Sequence, residues 1–307
     1  MINLNWINWF IGFCDGEGNF QTFPKKRNYK SLNGESNYYN IGYGFHLSLS
    51  IKDRDLLYDI HKNLFFKGQI YEYKDREEIR LAITKLEDLK WLIINVFEVP
   101  LSISLLTKHQ YLNYTRLKLG VLNKFNRLNS LEEYKDFITQ SPKSLPQFIL
   151  SHKQLSDPSF NKIIDYDSKF IISKETETET KNIENENILV NYMETLYKNK
   201  ELKLDNWISG FINGEGSFSI HSKGHLVFYI EQSELEVLNI IKKRLELGPS
   251  ILFRGKRMAN YKDTYSLKIS SNKDLNNLIY FFENPLLESL KGQKRFQFEH
   301  WKGKRQL

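Results

Sequence analysis

The chain has 307 residues, 40% of them apolar and 14% aromatic, with a formal net charge of +7 and a pI of about 9.1. That length suits two cores; Cys14, the only cysteine, excludes internal disulfides and cysteine-based zinc clusters. No apolar run of about eighteen residues occurs, so neither a spanning helix nor a membrane partner is expected, and the start lacks a basic stretch followed by an apolar secretion signal.

The excess of positive charge suits a polyanionic partner, a signal that is generic on its own. Alanine occurs only at Ala82 and Ala259, while Lys, Asn, Ile, Tyr and Phe abound. These are residues with AT-rich codons, and the bias points to an AT-rich genome such as a mitochondrial one.

Residues 8–20 read NWFIGFCDGEGNF and residues 206–218 read NWISGFINGEGSF. Two such matches in one chain argue for duplication. Each copy opens as an apolar helix, with Cys14 as a packing residue. The spacing puts Gly12 and Gly16 on one helical face, and likewise Gly210 and Gly214. A glycine inside a helix costs about 1 kcal/mol relative to alanine. Close approach of two backbones is the reason such a cost is carried. Packing the copies together places Glu17 beside Glu215, so that two carboxylates meet at one point. Asp15 and Asn213, at matching positions, are expected to cap or bond backbone locally.

Past the first motif, residues 19–22 alternate and Lys25, Lys26, Arg27 and Lys30 form a basic segment. Turn chemistry is read at 31–37 and a long strand over 38–51, which makes a leading hairpin longer than that of the second half. Asp53 is expected to cap a helix running to Phe65, with Leu56, Leu57, Ile60 and Leu64 on its apolar face. A second hairpin turns at Asp75–Arg76, and a helix over 87–97 is stopped by Pro100. A further helix is predicted over 104–119, with short helical pieces at 130–139 and 146–152. The polar stretch 173–187 reads as a linker.

The second half repeats this order: strands over 217–221 and 226–232, a helix over 234–245, strands over 250–254 and 261–270, and a helix over 273–282. FENPL at 282–286 matches FEVPL at 97–101. The expected fold is α+β: two pseudo-symmetric αββαββα units packed through the two motif helices, each with a four-stranded antiparallel sheet whose free face binds a ligand. The expected division is 1–165 for the first half, 166–203 for the linker and 204–307 for the second half.

In frame, FIGFCDGEG (10–18) and ISGFINGEG (208–216) resemble the motif of LAGLIDADG homing endonucleases of the single-chain, two-motif type. The resemblance implies that the eighth motif position, Glu17 and Glu215, holds divalent metal, with carbonyls of Gly16 and Gly214 contributing. Hard oxygen donors favour Mg²⁺. It also implies a water-ordering glutamine at the end of the second strand, met by Gln232 but replaced by Leu49 in the first half. A basic residue after the fourth strand is met by Lys85 but replaced by Ser271 in the second. Each half thus lacks one supporting group.

Counting by two from the glutamates puts Asn19, Gln21, Phe23 and Lys25 on one face, and Ser217, Ser219, His221 and Lys223 on its counterpart. The resemblance implies that these faces read DNA, and on the second strands His46, Ser48, Tyr229 and Glu231 match DNA-facing positions of the family. Tyr71, Tyr73, Arg76, Arg80, Arg254, Lys256, Arg257 and Lys268 join them from later strands and turns.

The implied function is site-specific, Mg²⁺-dependent cleavage of double-stranded DNA at a long non-palindromic site. The protein would be a monomer, intron-encoded and mitochondrial. An RNA maturase acting on intron RNA, or a catalytically inactive DNA-binding relative, stands as the alternative.

Overall fold

The computed structural model describes residues 2–31, 34–123, 127–128, 135, 201–256 and 262–305; side chains of 27–39, 127–128 and 223 lie outside that description. The short pieces expected at 130–139 and 146–152 and the linker at 173–187 fall outside the described residues, Lys135 apart.

In the first half, α1 (Leu4–Glu17) leads into β1 (Gly18–Ser31) and β2 (Gly34–Ser50). Next come α2 (Arg54–Asn63), β3 (Gln69–Tyr73), β4 (Glu78–Ile83) and α3 (Leu86–Leu92), the last continued by a wider turn over Ile93–Phe97. The half closes with α4 (Lys108–Leu122) and a short β5 (Arg127–Leu128). In the second half, α5 covers 201–215, followed by β6 (Ser217–Ile220), β7 (Leu226–Gln232) and α6 (Leu235–Arg244). Then come β8 (Leu252–Gly255), β9 (Thr264–Ile269), α7 (Asn272–Phe282) and α8 (Gly292–Gly303).

Both sheets are antiparallel and share one strand order, β1-β2-β4-β3 and β6-β7-β9-β8, with β5 added to β2. Phe45 pairs with Phe20 and Ile83, and Phe228 pairs with Phe218 and Ile269, so the two registers superpose residue for residue. In each half one sheet face is apolar. Phe20, Phe45, Leu47, Leu81 and Ile83 are buried in the first half, and Phe218, Phe228, Ile230, Leu267 and Ile269 in the second. Those faces pack on the helices, and the opposite faces stay open. The expected fold is therefore the observed one, with β5 as an addition.

Several local expectations are corrected. The first hairpin reverses within the 31–37 stretch but more tightly than expected: its ladder runs on through Lys30↔Glu35 to Ser31↔Gly34, so pairing takes up Gly34 to Asn37, which carry turn-type residues. The helix expected from 104 starts at Lys108. The chain before it stays extended because motif side chains take its amides: Ile103 N–H donates to Asn8 Oδ1 at 2.8 Å and Leu106 N–H to Asp15 Oδ2 at 2.7 Å. Asp53 makes no side-chain cap on α2. Instead it accepts from Gln293 N–H at 2.7 Å and so caps α8 of the other half. Helix α8 is an element beyond those expected. It carries few apolar residues, but Phe298 and Trp301, one helical turn apart, are 3% and 1% exposed.

The two motif helices meet as their glycines require. A Cβ on Gly12 would lie 2.0 Å from Trp207 O, and one on Gly210 would lie 1.8 Å from Trp9 O. Around this seam the motif aromatics are fully buried, Trp9, Phe10, Trp207 and Phe211 each at 0% exposure. The seam therefore belongs to the core of both halves.

Candidate active site and nucleic-acid interface

Both motif helices end at a glutamate. The stem of each glutamate lies against the glycine of the other helix. A Cβ on Gly16 would be 3.0 Å from Glu215 Cγ, and one on Gly214 would be 3.1 Å from Glu17 Cγ. Any side chain at these glycines would push the acids apart. Burial and then the neighbouring Glu215 raise Glu17 to about 7; Asp53 adds to the rise and Lys294 opposes it. Glu215 is also raised by burial, opposed by a hydrogen bond from Gln232 and by Lys294. A pair of carboxylates that resists ionisation together has a use for a cation.

The donor set fits a hard divalent ion. Two carboxylates face one point, and no group of three or more His, Cys, Asp or Glu that could hold a metal occurs among the described residues. Mg²⁺ suits such a two-acid site, because it keeps several waters and takes remaining oxygens from a phosphate ligand.

Lys294 is a site residue that the motif pattern does not single out. Its ammonium donates to Gly216 O, the carbonyl just past Glu215. Its own pKa is lowered by burial, an effect opposed by Glu17, Asp53 and Glu215. At the matching place in the first half, Gln110 Nε2 donates to Gly18 O at 2.5 Å. Extending the FEVPL and FENPL register would align Gln110 with Arg295, one residue past Lys294, so the repeat points only to this neighbourhood. Gln232 stands at the end of β7 and does reach Glu215. Leu49, on the equivalent stretch of β2, has no polar group to offer Glu17. Lys85 is exposed at the start of α3 without a side-chain cap bond, and the charges that shift Glu17 do not include it.

Asp15 and Asn213 bond backbone, but far along the chain. Asp15 accepts from Leu106 N–H, from Thr107 N–H at 3.1 Å and Oγ1–H at 2.7 Å, and from Trp207 Nε1–H at 2.7 Å. Asn213 Oδ1 accepts from Lys291 N–H at 2.6 Å. Each motif thus anchors the helix, α4 or α8, that carries Gln110 or Lys294 to the site. Glu234 completes the pattern from the other half, accepting from Lys108 N–H at 2.6 Å and His109 N–H at 3.1 Å.

The open sheet faces carry most of the expected reading residues. Asn19 is exposed and Gln21 half-buried; Lys25 Nζ sits 5.2 Å over the Phe23 ring. His46 is half-buried, and burial followed by Arg80 lowers its pKa. Arg80 Nε donates to Ser48 Oγ at 2.9 Å and its guanidinium pairs with Glu78 at 2.8 Å. Tyr73 lies between Arg76 and Arg80, at 5.7 and 5.3 Å, and the exposed Tyr71 bonds Gln69.

In the second half, Ser217 and His221 are exposed, with Ser219 between them half-buried. Tyr229 hydroxyl donates to Glu231, whose other oxygen accepts from Thr264 Oγ1 at 2.8 Å. Arg254 Nε donates to Ser266 Oγ at 2.8 Å, and Lys268, opposite Tyr229, is exposed, as is Lys256. Arg257 and the Lys223 side chain lie outside the described residues.

Two open antiparallel sheets, joined by glycine-faced helices that end in a carboxylate pair, define a pseudo-symmetric two-sheet protein with one shared acidic centre. The LAGLIDADG endonuclease family model matches residues 10–119 and 208–303, and the chain belongs to that family.

Among curated proteins, the chain is similar to "Probable intron-encoded endonuclease 3" of Neurospora crassa, 31% identical over 96 residues, which is 31% of this chain and 17% of that protein. It thus spans only a minor part of that relative. Among solved structures it is similar to the LAGLIDADG homing endonuclease I-GzeII in complex with a DNA target, with a TM-score of 0.58, 19% identity and coverage of 99% and 89% of the two chains. It is also similar to I-LtrWI bound to target DNA, with a TM-score of 0.57, 23% identity and coverage of 98% and 89%. These likenesses concern the fold.

Proposed function

We propose that the protein is a site-specific DNA endonuclease that hydrolyses one phosphodiester in each strand of a duplex. The observation that carries this reading is the meeting of Glu17 and Glu215 across the motif seam. Both are held at raised pKa by burial, below the junction of two open, polar sheets. The family membership supports it. A divalent ion, Mg²⁺ in our reading, would lower the pKa of an attacking water and offset charge on the leaving oxygen.

The chain's own residues do the remaining work. Glu17 and Glu215 supply anionic oxygens. Gln232 orients Glu215, and Lys294 offsets part of the paired charge. The sheets hold the duplex so that a phosphate lies over the acids: Arg and Lys contact the backbone, and Asn19, Gln21, His46, Ser48, Tyr229 and Glu231 meet base edges. Water adds to phosphorus, one P–O ester bond breaks, and the leaving oxygen takes up a proton. Because the two sheets differ at almost every reading position, the site is non-palindromic and a single chain suffices.

The Neurospora relative's name and the AT-biased composition support an intron-encoded, mitochondrial origin. The test is cleavage of a randomised duplex library with Mg²⁺, beside Glu17→Gln and Glu215→Gln. Ends sharing one long asymmetric site, lost in both variants, are expected. DNA retained but uncut in every condition would favour the inactive binder. Failure to retain DNA, together with binding of structured intron RNA, would replace this reading with the maturase.

A further inference from the structure

The two halves superpose closely in register, yet they differ at one corner. In the first half, Tyr43 of β2 is buried and its ring lies where a side chain on Gly120 of α4 would sit, 2.2 Å from a Cβ built there. The matching residues of the second half are Leu226 on β7 and Lys304 just past α8. There the shorter side chain leaves a cavity of about 490 Å³. Nothing lies within 4 Å of a Cβ built on Gly303, beside it.

The lining is strongly one-signed. His221, His225, Lys268, Lys304 and Arg305 all face the cavity, with Asn272, and no carboxylate among the described residues lines it. Asp274, on the same turn of α7, bonds Gly248 N–H at 2.8 Å instead. Arg305 is held in place by Nη2, which donates to Asn272 O at 2.9 Å. Its Nη1 is buried and has no partner among the described residues. A buried guanidinium nitrogen without an acceptor is costly unless a ligand supplies one. Guanidinium and ammonium groups converging without a counter-charge match the geometry of a phosphate.

We infer that this cavity is a phosphate-binding site which, on the endonuclease reading above, takes a backbone phosphodiester of bound DNA beyond the edge of the second sheet. Lys268 belongs both to the open face and to the cavity, so a strand lying on that face runs into it. The first half offers no such site because Tyr43 fills the space. The anchoring of the duplex is therefore heavier at the end bound by the second half. A free phosphate ion has the same chemistry and is the other possible occupant.

The test uses the full chain with Lys304→Gln, His225→Asn and, as a control of equal charge change, Lys90→Gln on the exposed face of α3. Affinity for a 30-base-pair duplex is measured against salt concentration. Taking away one cation that neutralises a phosphate lowers the salt slope by roughly 1. Lys304→Gln should bind several-fold more weakly, with about that much less slope. His225→Asn should also weaken binding, and Lys90→Gln should leave both affinity and slope unchanged.

Two further results separate the sources. Unchanged slope in Lys304→Gln with wild-type DNA binding intact overturns the inference and leaves the endonuclease reading standing. Inorganic phosphate that shifts the His221 and His225 resonances in wild type, while no duplex is retained, overturns the DNA assignment together with that reading.

Discussion

Trp207 donates its indole N–H to Asp15 across the seam at 2.7 Å, whereas Trp9, its counterpart, leaves Nε1 buried and without a partner among the described residues. The difference follows from the sixth motif position. Asp15 has two acceptor oxygens and uses both, while Asn213 has one and spends it on Lys291 N–H.

Asp15→Asn should therefore open the seam on the better-tied side. The amide nitrogen cannot accept, so buried donors among Trp207, Leu106 and Thr107 lose their partner. A loss of about 1–3 kcal/mol is expected, read as a lower urea midpoint with an unchanged denaturant slope.

Gly12→Ala and Gly210→Ala should be more severe. The added methyl would overlap a backbone carbonyl of the opposite helix, and a packed backbone cannot swing aside as a side-chain end can. Failure to fold, or a loss of more than about 3 kcal/mol, is expected. Gly303→Ala, with open space around it, should fold normally and serves as the matched control.

The metal-free protein should lose stability as pH rises. Glu17 is raised from 4.5 to about 7 in the fold, so its folded form binds the proton more tightly than the unfolded chain. That contribution is complete below the ordinary glutamate range and is lost as pH climbs through about 7. Melting temperature without divalent ions should fall across this window, and Mg²⁺ should recover it at the alkaline end. Glu17→Gln should flatten the profile while abolishing cleavage.

Lys294 lowers the pKa of both glutamates. Lys294→Met should shift the rising limb of the pH–rate profile to higher pH, a signature that a purely structural role would not produce. Gln110, its counterpart, carries no charge, and Gln232 supports Glu215 while Leu49 gives Glu17 nothing. The two strands should then be cut at unequal rates. A supercoiled plasmid bearing the site should pass through an accumulating nicked form; direct conversion to linear product would contradict this.

The motif glycines, the glutamates and the strand alternation were legible because each is a local pattern with one physical meaning. Gly12 and Gly210 announced a close helix pair, and the period-2 runs announced sheets with one free face. What escaped was set by contacts distant in sequence. Asp53 has the composition of a cap for its own helix, yet its carboxylate serves a residue 240 positions away. Residues 104–107 have helical pattern, but motif side chains claim their amides first. Helix α8 and Lys294 were hidden because a helix wedged between halves needs only a few apolar residues of its own.

Asp53 and Glu234 trade places: each stands at the head of a helix in one half and caps a helix of the other. The two halves are therefore not interchangeable modules, despite their common plan. A half transplanted beside a foreign partner brings an acid for its neighbour and arrives lacking one for itself. Chimaeras of such proteins should succeed only where the incoming half supplies a carboxylate at that one position, whatever the quality of the glycine seam.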